Sequence, residues 1–246
     1  GESRQVIIVK TAHREARSQS LAQKFRQDFL VEGRYLYLLQ GLGNTLVITL
    51  FAILISLCLG SLIAIVRTTH DRTGRYPVLN ALCKLYLVII RGTPTMVQLL
   101  IIYYVIFAAA DVSKVLVAIV AFGINSSAYL AEVVRSGIMS IDRGQSEAGR
   151  SLGLSYSQTL RLIILPQAFK NVLPAIGNEL ITLLKETSIS GYIGLVDLTK
   201  GSDIIRSITY DAILPLGVVA IIYLAIVLSL SSAVGMLEKK LRKNER

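Results

Sequence analysis

The chain has 246 residues, of which 53% are hydrophobic and only 17% are charged, and its mean hydropathy is +0.59. Soluble domains carry about a quarter charged residues, so this composition excludes an ordinary soluble domain and indicates a membrane protein. The net charge of +10 would also suit a nucleic-acid-binding protein. However, the basic residues cluster beside apolar runs, where orientation in a membrane explains them, and we expect no nucleic-acid partner.

The first 40 residues are predicted to form a polar tail followed by an amphipathic helix. Residues 6–9 are a short apolar run that predicts either a strand or no regular structure. Over residues 20–39, apolar side chains recur at helical spacing with charged residues between them. Such a helix lies along the membrane surface or packs on another subunit. The chain begins with glycine and shows no signal-peptide pattern, so we expect a processed chain or a piece of a longer one.

Five apolar runs predict membrane-spanning helices, and so an all-α membrane protein with a transmembrane domain over residues 41–240. The predicted spans are residues 43–66, 78–110, 115–131, 172–184 and 212–237. About 20 apolar residues cross the hydrocarbon core, and the first and last runs contain no charged residue. Asn44 and Thr45 are predicted to cap the first span. Residues 190–211, between the last two spans, are predicted to be a glycine-bearing loop.

The second predicted span contains a charge and a helix breaker. Arg91 lies about 20 Å along it at 1.5 Å per residue, and a charge at that depth normally faces a cavity or a partner. Pro94 lacks an N–H and disfavours helix at the residue before it. We therefore predict a break over residues 91–95, where the backbone is buried in protein or lines water. The alternative is a short loop between two half-length helices.

Polar residues in the next two spans suggest further contacts. The third span, bounded by Lys114 and Glu132, contains Asn125 beside two serines. Small and polar residues usually mark a helix–helix contact face, and a ligand role for Asn125 is the alternative. An acid within a span indicates function, so Glu179 in the fourth span either faces a substrate path or pairs with Arg91 or another buried base.

The distribution of basic residues predicts the orientation. Three basic segments fall on one side of the membrane: residues 67–77, residues 135–170 and the tail of residues 241–246. The loops on the other side, residues 109–114 and 186–211, together hold more acids than bases. The positive-inside rule then places the C-terminus in the cytoplasm and, with five spans, the N-terminus outside. The excess of bases in residues 1–40 opposes this, but three consistent segments outweigh it.

A polar, glycine-punctuated stretch, residues 147–166, separates the third and fourth spans. It predicts a helix over residues 145–152, capped by Asp142 or Ser146 and ended by Gly153. A second helix is expected to begin within residues 155–159 and to run to Pro166.

The first of these two helices, held between two spans, forms a rigid cytoplasmic knob. Glu147 and Arg150 are one turn apart and can pair. Ala148 and Gly149 are small and would allow another protein to approach closely.

This stretch resembles the EAA signature of bacterial ABC-type import permeases. The matching residues are Glu147, Ala148, Gly149, Gly153, Ile163, Leu165 and Pro166. Gly149 stands where alanine is usual, a change of one small residue for another. Other segments are similar to the polar amino-acid subgroup of that family: residues 91–94 with Gln98, residues 128–138, 144–145, 165–168 and 184–188. The resemblance covers about residues 35–240 and leaves residues 1–34 unexplained.

The resemblance implies the fold of a type I importer permease in the bacterial inner membrane, with a coupling helix at about residues 143–155. It implies as partners two ATP-binding subunits, a second permease copy or paralogue, and an external amino-acid-binding protein or fused binding domain, in addition to membrane lipid. The chain contains no Gly-x-x-x-x-Gly-Lys-Ser/Thr loop. ATP and Mg would therefore be bound by the partner subunit, and this chain would be neither an enzyme nor the holder of a cofactor or metal.

The function implied is a permease subunit of an ATP-driven importer of polar amino acids. The coupling residues would be Glu147, Ala148, Gly149, Gly153, Leu165 and Pro166. The substrate path would contain Arg91, Gly92, Thr93, Pro94, Thr95, Gln98, Asn125, Glu179, Lys185 and Glu186, of which Lys185 and Glu186 form either a gate or a solvated pair. One alternative is an ion-coupled secondary transporter or channel, which the lack of an inverted repeat disfavours. The other is a membrane scaffold in which Arg91 and Glu179 merely pair.

Overall fold

The computed structural model describes residues 20–243. Within this part, ten α-helices are joined by short turns: α1 Leu21–Phe25, α2 Tyr35–Thr73, α3 Pro77–Gly92, α4 Thr95–Ile101, α5 Lys114–Met139, α6 Arg143–Ser151, α7 Tyr156–Thr159, α8 Leu165–Glu186, α9 Leu198–Thr209 and α10 Ile213–Lys243. Residues 20–243 contain no β-strand. The expectation for residues 6–9 and the end of the basic tail lie outside the described residues.

The N-terminal segment is interrupted, so the prediction of a single amphipathic helix over residues 20–39 is wrong. Helix α1 ends at Phe25, a π turn follows over Arg26–Leu30, and Glu32 has a left-handed φ of 56° just before α2 begins. Phe29 is 2% exposed and packs against Leu198 and Val219. The segment is therefore held by this chain's own α9 and α10, a setting that the sequence did not reveal.

Helix α2 is longer than the first predicted span and begins well before Asn44 and Thr45, so neither residue caps it. Instead, both side chains form hydrogen bonds with a segment that is distant in the sequence. The Asn44 Nδ2 donates to the Val196 carbonyl oxygen at 2.8 Å, and the Leu198 N–H donates to the Thr45 Oγ1 at 3.2 Å. These bonds attach the segment before α9 to the side of α2.

The interruption predicted over residues 91–95 is present, and its two interpretations, a broken span and a short loop between two half-length helices, both stay open. Helix α3 ends at Gly92, Thr93 and Pro94 have extended backbone, and α4 begins at Thr95. The two helical pieces on either side are bent by 107°. Since α3 and α4 have 16 and 7 residues, each is shorter than the roughly 20 residues needed for a full crossing.

Three single helices are long and apolar enough to cross a membrane: α2, α5 and α10. The bent pair that begins with α3 counts as a fourth crossing if it is one span. Helix α8 has 22 residues but includes Lys170, Glu179 and the Lys185–Glu186 pair, and it does not meet the same criterion of length and hydropathy. The count of five spans therefore stays a prediction.

The helices around the cytoplasmic knob extend beyond their predicted ends. Helix α5 runs past Glu132 to Met139, so the predicted loop of residues 135–170 begins inside a helix. After α7, helical structure continues through a π turn over Leu160–Ile164 into α8 instead of stopping at Pro166. The hydrogen bonds of a π turn span one residue more than those of an α-helix. This wider turn over Leu160–Ile164 lies just before Pro166, which has no N–H to donate, and it allows the helix to continue past the proline.

Residues 190–211 are not the loop that the glycines suggested. A 3-10 turn over Thr187–Ile193 is followed by α9, and the fully buried Asp197 caps that helix by accepting from the N–H groups of Thr199 and Lys200. Burial raises the pKa of the Asp197 carboxyl, and those backbone donors oppose the rise.

The core lies where α2, α4, α5 and α8 meet, around the fully buried Ile48, Leu99, Phe122 and Leu183. Close backbone contact between α2 and α5 depends on Gly60, because a Cβ there would lie 2.9 Å from the Ser127 carbonyl oxygen. Lipid tails are as apolar as these side chains, so tight packing of small residues stabilises such contacts. The predicted role of the polar third span as a helix contact face is thereby confirmed.

Candidate coupling surface and translocation path

The knob predicted between the third and fourth spans is present as α6. The Gly144 N–H donates to the Asp142 Oδ1 at 2.7 Å, so Asp142 is the cap and the alternative, Ser146, is wrong. Gly153 has a φ of 81°, and its N–H donates to the Arg150 carbonyl oxygen at 2.9 Å. Glycine adopts this left-handed conformation without strain, which confirms that Gly153 ends the helix.

Glu147 and Ala148 are exposed on the surface of this knob. The ion pairs of the described residues do not include Glu147 with Arg150, so the expected pair is not formed. The carboxylate of Glu147 is therefore available to a partner.

Gly149 faces inward, contrary to the expectation that it offers space to another protein. It is buried, and a Cβ there would lie 2.7 Å from the Thr159 Cγ2 and 3.1 Å from the Ile163 Cδ1. The small residue serves the packing of α6 on the π turn. Leu165 is half-buried and Pro166 is exposed at the start of α8, so the two ends of the signature share one compact unit.

Ser146 ties the knob to the end of α2. The Arg72 Nη1 donates to the Ser146 Oγ at 2.8 Å. A cleft of about 490 Å³ lies beside this bond, lined by Asp71, Arg72, Thr73, Met139, Arg143, Ser146, Glu147, Arg150, Tyr156, Thr159, Leu160 and Ile164. The mixed charge of this lining suits a protein surface with both signs of charge.

Within the spans, Glu179 has a polar neighbour but no basic one. The Ser126 Oγ donates to the Glu179 Oε1 at 2.8 Å and lies 3.1 Å from the Ser56 Oγ. The ion pairs of residues 20–243 do not include Glu179, so the alternative that it pairs with Arg91 is wrong. This half-buried acid is thus free to meet a cation from outside the chain.

Gln98 and Asn125 brace the broken segment. The Gln98 Nε2 donates to the Thr93 Oγ1 at 2.7 Å and to the Ile90 carbonyl oxygen at 2.8 Å. The Asn125 Nδ2 donates to the Gln98 Oε1 at 2.9 Å. Both amides are buried, at 8% and 1% exposure. Gln98 satisfies backbone carbonyl oxygens that the break leaves without helical partners, and Asn125 holds Gln98 in place.

The residues of the break itself are open at the surface of the chain. Arg91, Gly92, Thr93 and Pro94 are exposed, and Thr95 is half-buried. At the far end of α8, Lys185 is exposed and Glu186 is half-buried. Among the described residues, Lys185 and Glu186 form no ion pair with each other. The expected solvated pair is therefore not formed, and their role as a gate stays a prediction.

Glu132 is a site residue that sequence reasoning missed, because it was taken only as the boundary of a span. Arg67 pairs with its Oε1, and the Arg91 Nη1 lies 3.9 Å from the same oxygen. The Arg135 Nε donates to the Glu132 Oε2 at 3.3 Å. Two signals pointed to it: residues 128–138 resemble the polar amino-acid subgroup, and the spacing of Glu132 and Arg135 puts them on the same side of a helix.

Another acid with more than one basic neighbour lies in α9. Asp203 accepts hydrogen bonds from Lys200 and Arg206. These bonds lower the pKa of the Asp203 carboxyl. All three residues belong to one helix, so this cluster links no separate elements.

The family model described as "Binding-protein-dependent transport system inner membrane component" matches residues 56–243. The chain belongs to this family. The arginine transport system permease protein ArtQ of Bacillus subtilis (strain 168) is 36% identical over 211 residues, which cover 85% of this permease and 94% of ArtQ. The L-cystine transport system permease protein TcyL of the same organism is 34% identical over 207 residues, which cover 80% of this permease and 86% of TcyL.

Solved structures agree with this membership. The crystal structure of an amino acid ABC transporter with histidines includes a chain 38% identical to this permease, with a TM-score of 0.76 over 86% of this chain and 98% of that one. A chain of the inward-facing MetNI methionine ABC transporter is 21% identical, with a TM-score of 0.72 over 83% and 96% of the two chains; it shows the fold alone. The predicted all-α importer permease fold is confirmed, and the protein is a multi-pass transport permease of a family that works with a binding protein and an ATP-hydrolysing partner.

Proposed function

We propose that this permease is the membrane subunit of an ATP-driven importer of polar amino acids. The observation that carries the proposal is the exposed, unpaired Glu147 on a knob capped at both ends, at the point where the chain resembles the motor-binding signature. Relatives that transport arginine and cystine support the substrate class. The subunit would lie in the bacterial cytoplasmic membrane, with its N-terminus outside and its C-terminus in the cytoplasm.

The coupling residues would be Glu147, Ala148, Gly149, Gly153, Leu165 and Pro166. Two ATP-binding subunits would each receive one such knob from a pair of permeases, either two copies of this chain or one copy with a paralogue. ATP and Mg would be bound by those subunits. An external amino-acid-binding protein or a fused binding domain would deliver the substrate.

The substrate path would pass Glu179 and the break at Arg91, Gly92, Thr93, Pro94 and Thr95. Glu179 supports this because it is an acid within a helix of the bundle whose carboxylate has a serine but no base beside it. A substrate ammonium or guanidinium group would supply the missing cation. Gln98 and Asn125 would shape the path by holding the break, and Lys185 with Glu186 would stand near its outer end.

The test is transport by the complete complex in liposomes. The permease is purified with its ATPase and binding protein, reconstituted, and supplied with radiolabelled arginine, glutamine or cystine. ATP-dependent accumulation of at least one of them is expected. Uptake that follows a proton or sodium gradient through this chain alone, or no bound ATPase after purification, would overturn the proposal in favour of a secondary transporter or a scaffold.

Changing Glu179 to glutamine tests its contact with substrate. The amide keeps the size of the side chain but removes the charge, so a charge-assisted hydrogen bond worth about 2 kcal/mol is lost. We expect the KM for arginine uptake to rise by roughly thirtyfold, with a smaller rise for uncharged amino acids. A Ser126→Ala control keeps the charge and should change KM much less. Unchanged uptake and unchanged substrate preference would refute the ligand role of Glu179.

A further inference from the structure

Three arginines from three different helices converge on one carboxylate, that of Glu132 in α5. Arg67 comes from α2, Arg91 from the end of α3, and Arg135 from α5 itself one turn further on. Arg91 is also held over the ring of Tyr129, with its guanidinium carbon 5.6 Å from the ring centre. Glu132 is thus the point at which α2, α3 and α5 are tied together by charge.

Polar contacts also connect the region of Glu132 to the knob, α6. The Arg135 Nη1 donates to the Asp71 Oδ2 at 3.2 Å, and the neighbouring Arg72 donates to Ser146 of α6. Asp71 and Arg72 are consecutive residues in the last turns of α2. Polar contacts therefore lead from α6 to Arg72 and from Asp71 to Glu132, and the backbone of α2 joins the two sets at Asp71 and Arg72.

The other end of the series reaches the break. Arg91 is the last residue but one of α3, directly before the extended Thr93 and Pro94. Its contact with Glu132 is loose, at 3.9 Å, and 46% of its side chain is exposed. By contrast, the Arg67 side chain is 14% exposed and pairs closely with the same carboxylate. Glu132 thus has a firm partner on α2 and a loose one beside the break.

We propose that Glu132 is a positioning residue that transmits movement of the knob to the break after α3. The proposal rests on the proposed function, because it assumes that a motor subunit moves α6. A shift of α6 pulls on Arg72 and Asp71, which displaces Arg135 and Glu132, and the carboxylate then gains or loses Arg91. Replacing Glu132 would leave three guanidinium groups that, among residues 20–243, pair with no acid other than Asp71, so the link between α2, α3 and α5 would be lost.

The experiment measures how many ATP molecules are hydrolysed per amino acid imported by the reconstituted complex. In Glu132→Gln we expect ATP hydrolysis to continue while import falls, so that the ratio rises by about tenfold, within the range found for coupling mutations. Glu132→Asp keeps the charge and should restore most of the coupling. A role in folding alone would lower both activities together and leave the ratio unchanged.

Asp203→Asn is the matched control, since Asp203, like Glu132, has more than one basic partner, but its two partners lie within a single helix. Its ratio should equal that of the wild type. If Glu132→Gln does not assemble with the ATPase, Asp71→Asn tests the same contacts at the half-exposed Asp71–Arg135 pair. It should also raise the number of ATP molecules hydrolysed per amino acid imported.

A double-mutant cycle with Ser146→Ala tests whether the contacts act in series. If they do, the combined variant is no worse than the more severe single one, and the effects are not additive. A ratio within twofold of the wild type in Glu132→Gln, or in Asp71→Asn where that variant replaces it, would overturn the proposal, as would full additivity. A wild-type complex that imports nothing with ATP would instead refute the proposed function.

Discussion

Changing Glu147 to lysine is expected to abolish ATP-driven uptake while leaving the permease folded. Glu147 is exposed and, among the described residues, its carboxylate makes no ion pair, so its replacement breaks no internal ion pair. At a docking surface, however, reversing a central charge costs about 2 kcal/mol or more, equivalent to at least about a thirtyfold loss of binding. Uptake and substrate-stimulated ATP hydrolysis in proteoliposomes measure the effect, and co-purification shows whether the ATPase is still bound.

Asp111→Lys makes the same charge change on an exposed loop between α4 and α5. It controls for the change in net charge away from the predicted docking surface and should leave binding of the ATPase unchanged. Retained ATP-driven uptake in Glu147→Lys would contradict the docking role of α6.

The second prediction concerns folding: Gly41→Ala should strongly destabilise the permease. A Cβ at Gly41 would lie 2.6 Å from the Asp197 carbonyl carbon and 2.8 Å from the Leu198 nitrogen. Because these are backbone atoms, α2 and α9 must separate, and the hydrogen bonds of Asn44 and Thr45 weaken with them. We expect a loss of about 3 kcal/mol, or roughly 6–12 °C in the Tm of the detergent-purified protein.

Gly43→Ala is the control in the same helix, since a Cβ there meets nothing within 4 Å. Alanine favours helix over glycine by about 1 kcal/mol, so the Tm should stay the same or rise. Equal losses in the two variants would show that the packing of α2 on α9 does not limit stability.

The features that the sequence predicted well are those fixed within a few residues. The break at Thr93 and Pro94 follows from proline's missing donor, and the end of α6 follows from glycine at position 153. Asp142 was one of two caps considered because aspartate suits that position. In each case the residue acts on its immediate neighbours, so no knowledge of the rest of the chain was needed.

The features that the sequence did not predict depend on contacts between distant segments. Gly201 suggested a loop, yet it lies within α9. Its lack of a side chain serves the packing of α9 on α2, since a Cβ there would lie 2.6 Å from the Tyr37 carbonyl oxygen. Asn44 and Thr45 have the side chains of helix caps but bond a segment about 150 residues later. Glu132 pairs with Arg67, which lies 65 residues earlier in the chain. Such partners follow from the packing of helices, which local periodicity does not encode.

The exposed guanidinium of Arg91 has a consequence for how the cell makes this subunit. At the depth that the sequence predicts for Arg91, a positive charge costs about 2.5–3.5 kcal/mol by insertion scales, and 46% of the Arg91 side chain is exposed in this chain. A newly made copy without companions would carry that penalty until another surface shields the arginine. Unassembled subunits would therefore differ from assembled ones in a property that membrane quality-control proteases can detect, which links the lifetime of the protein to its incorporation into a complex.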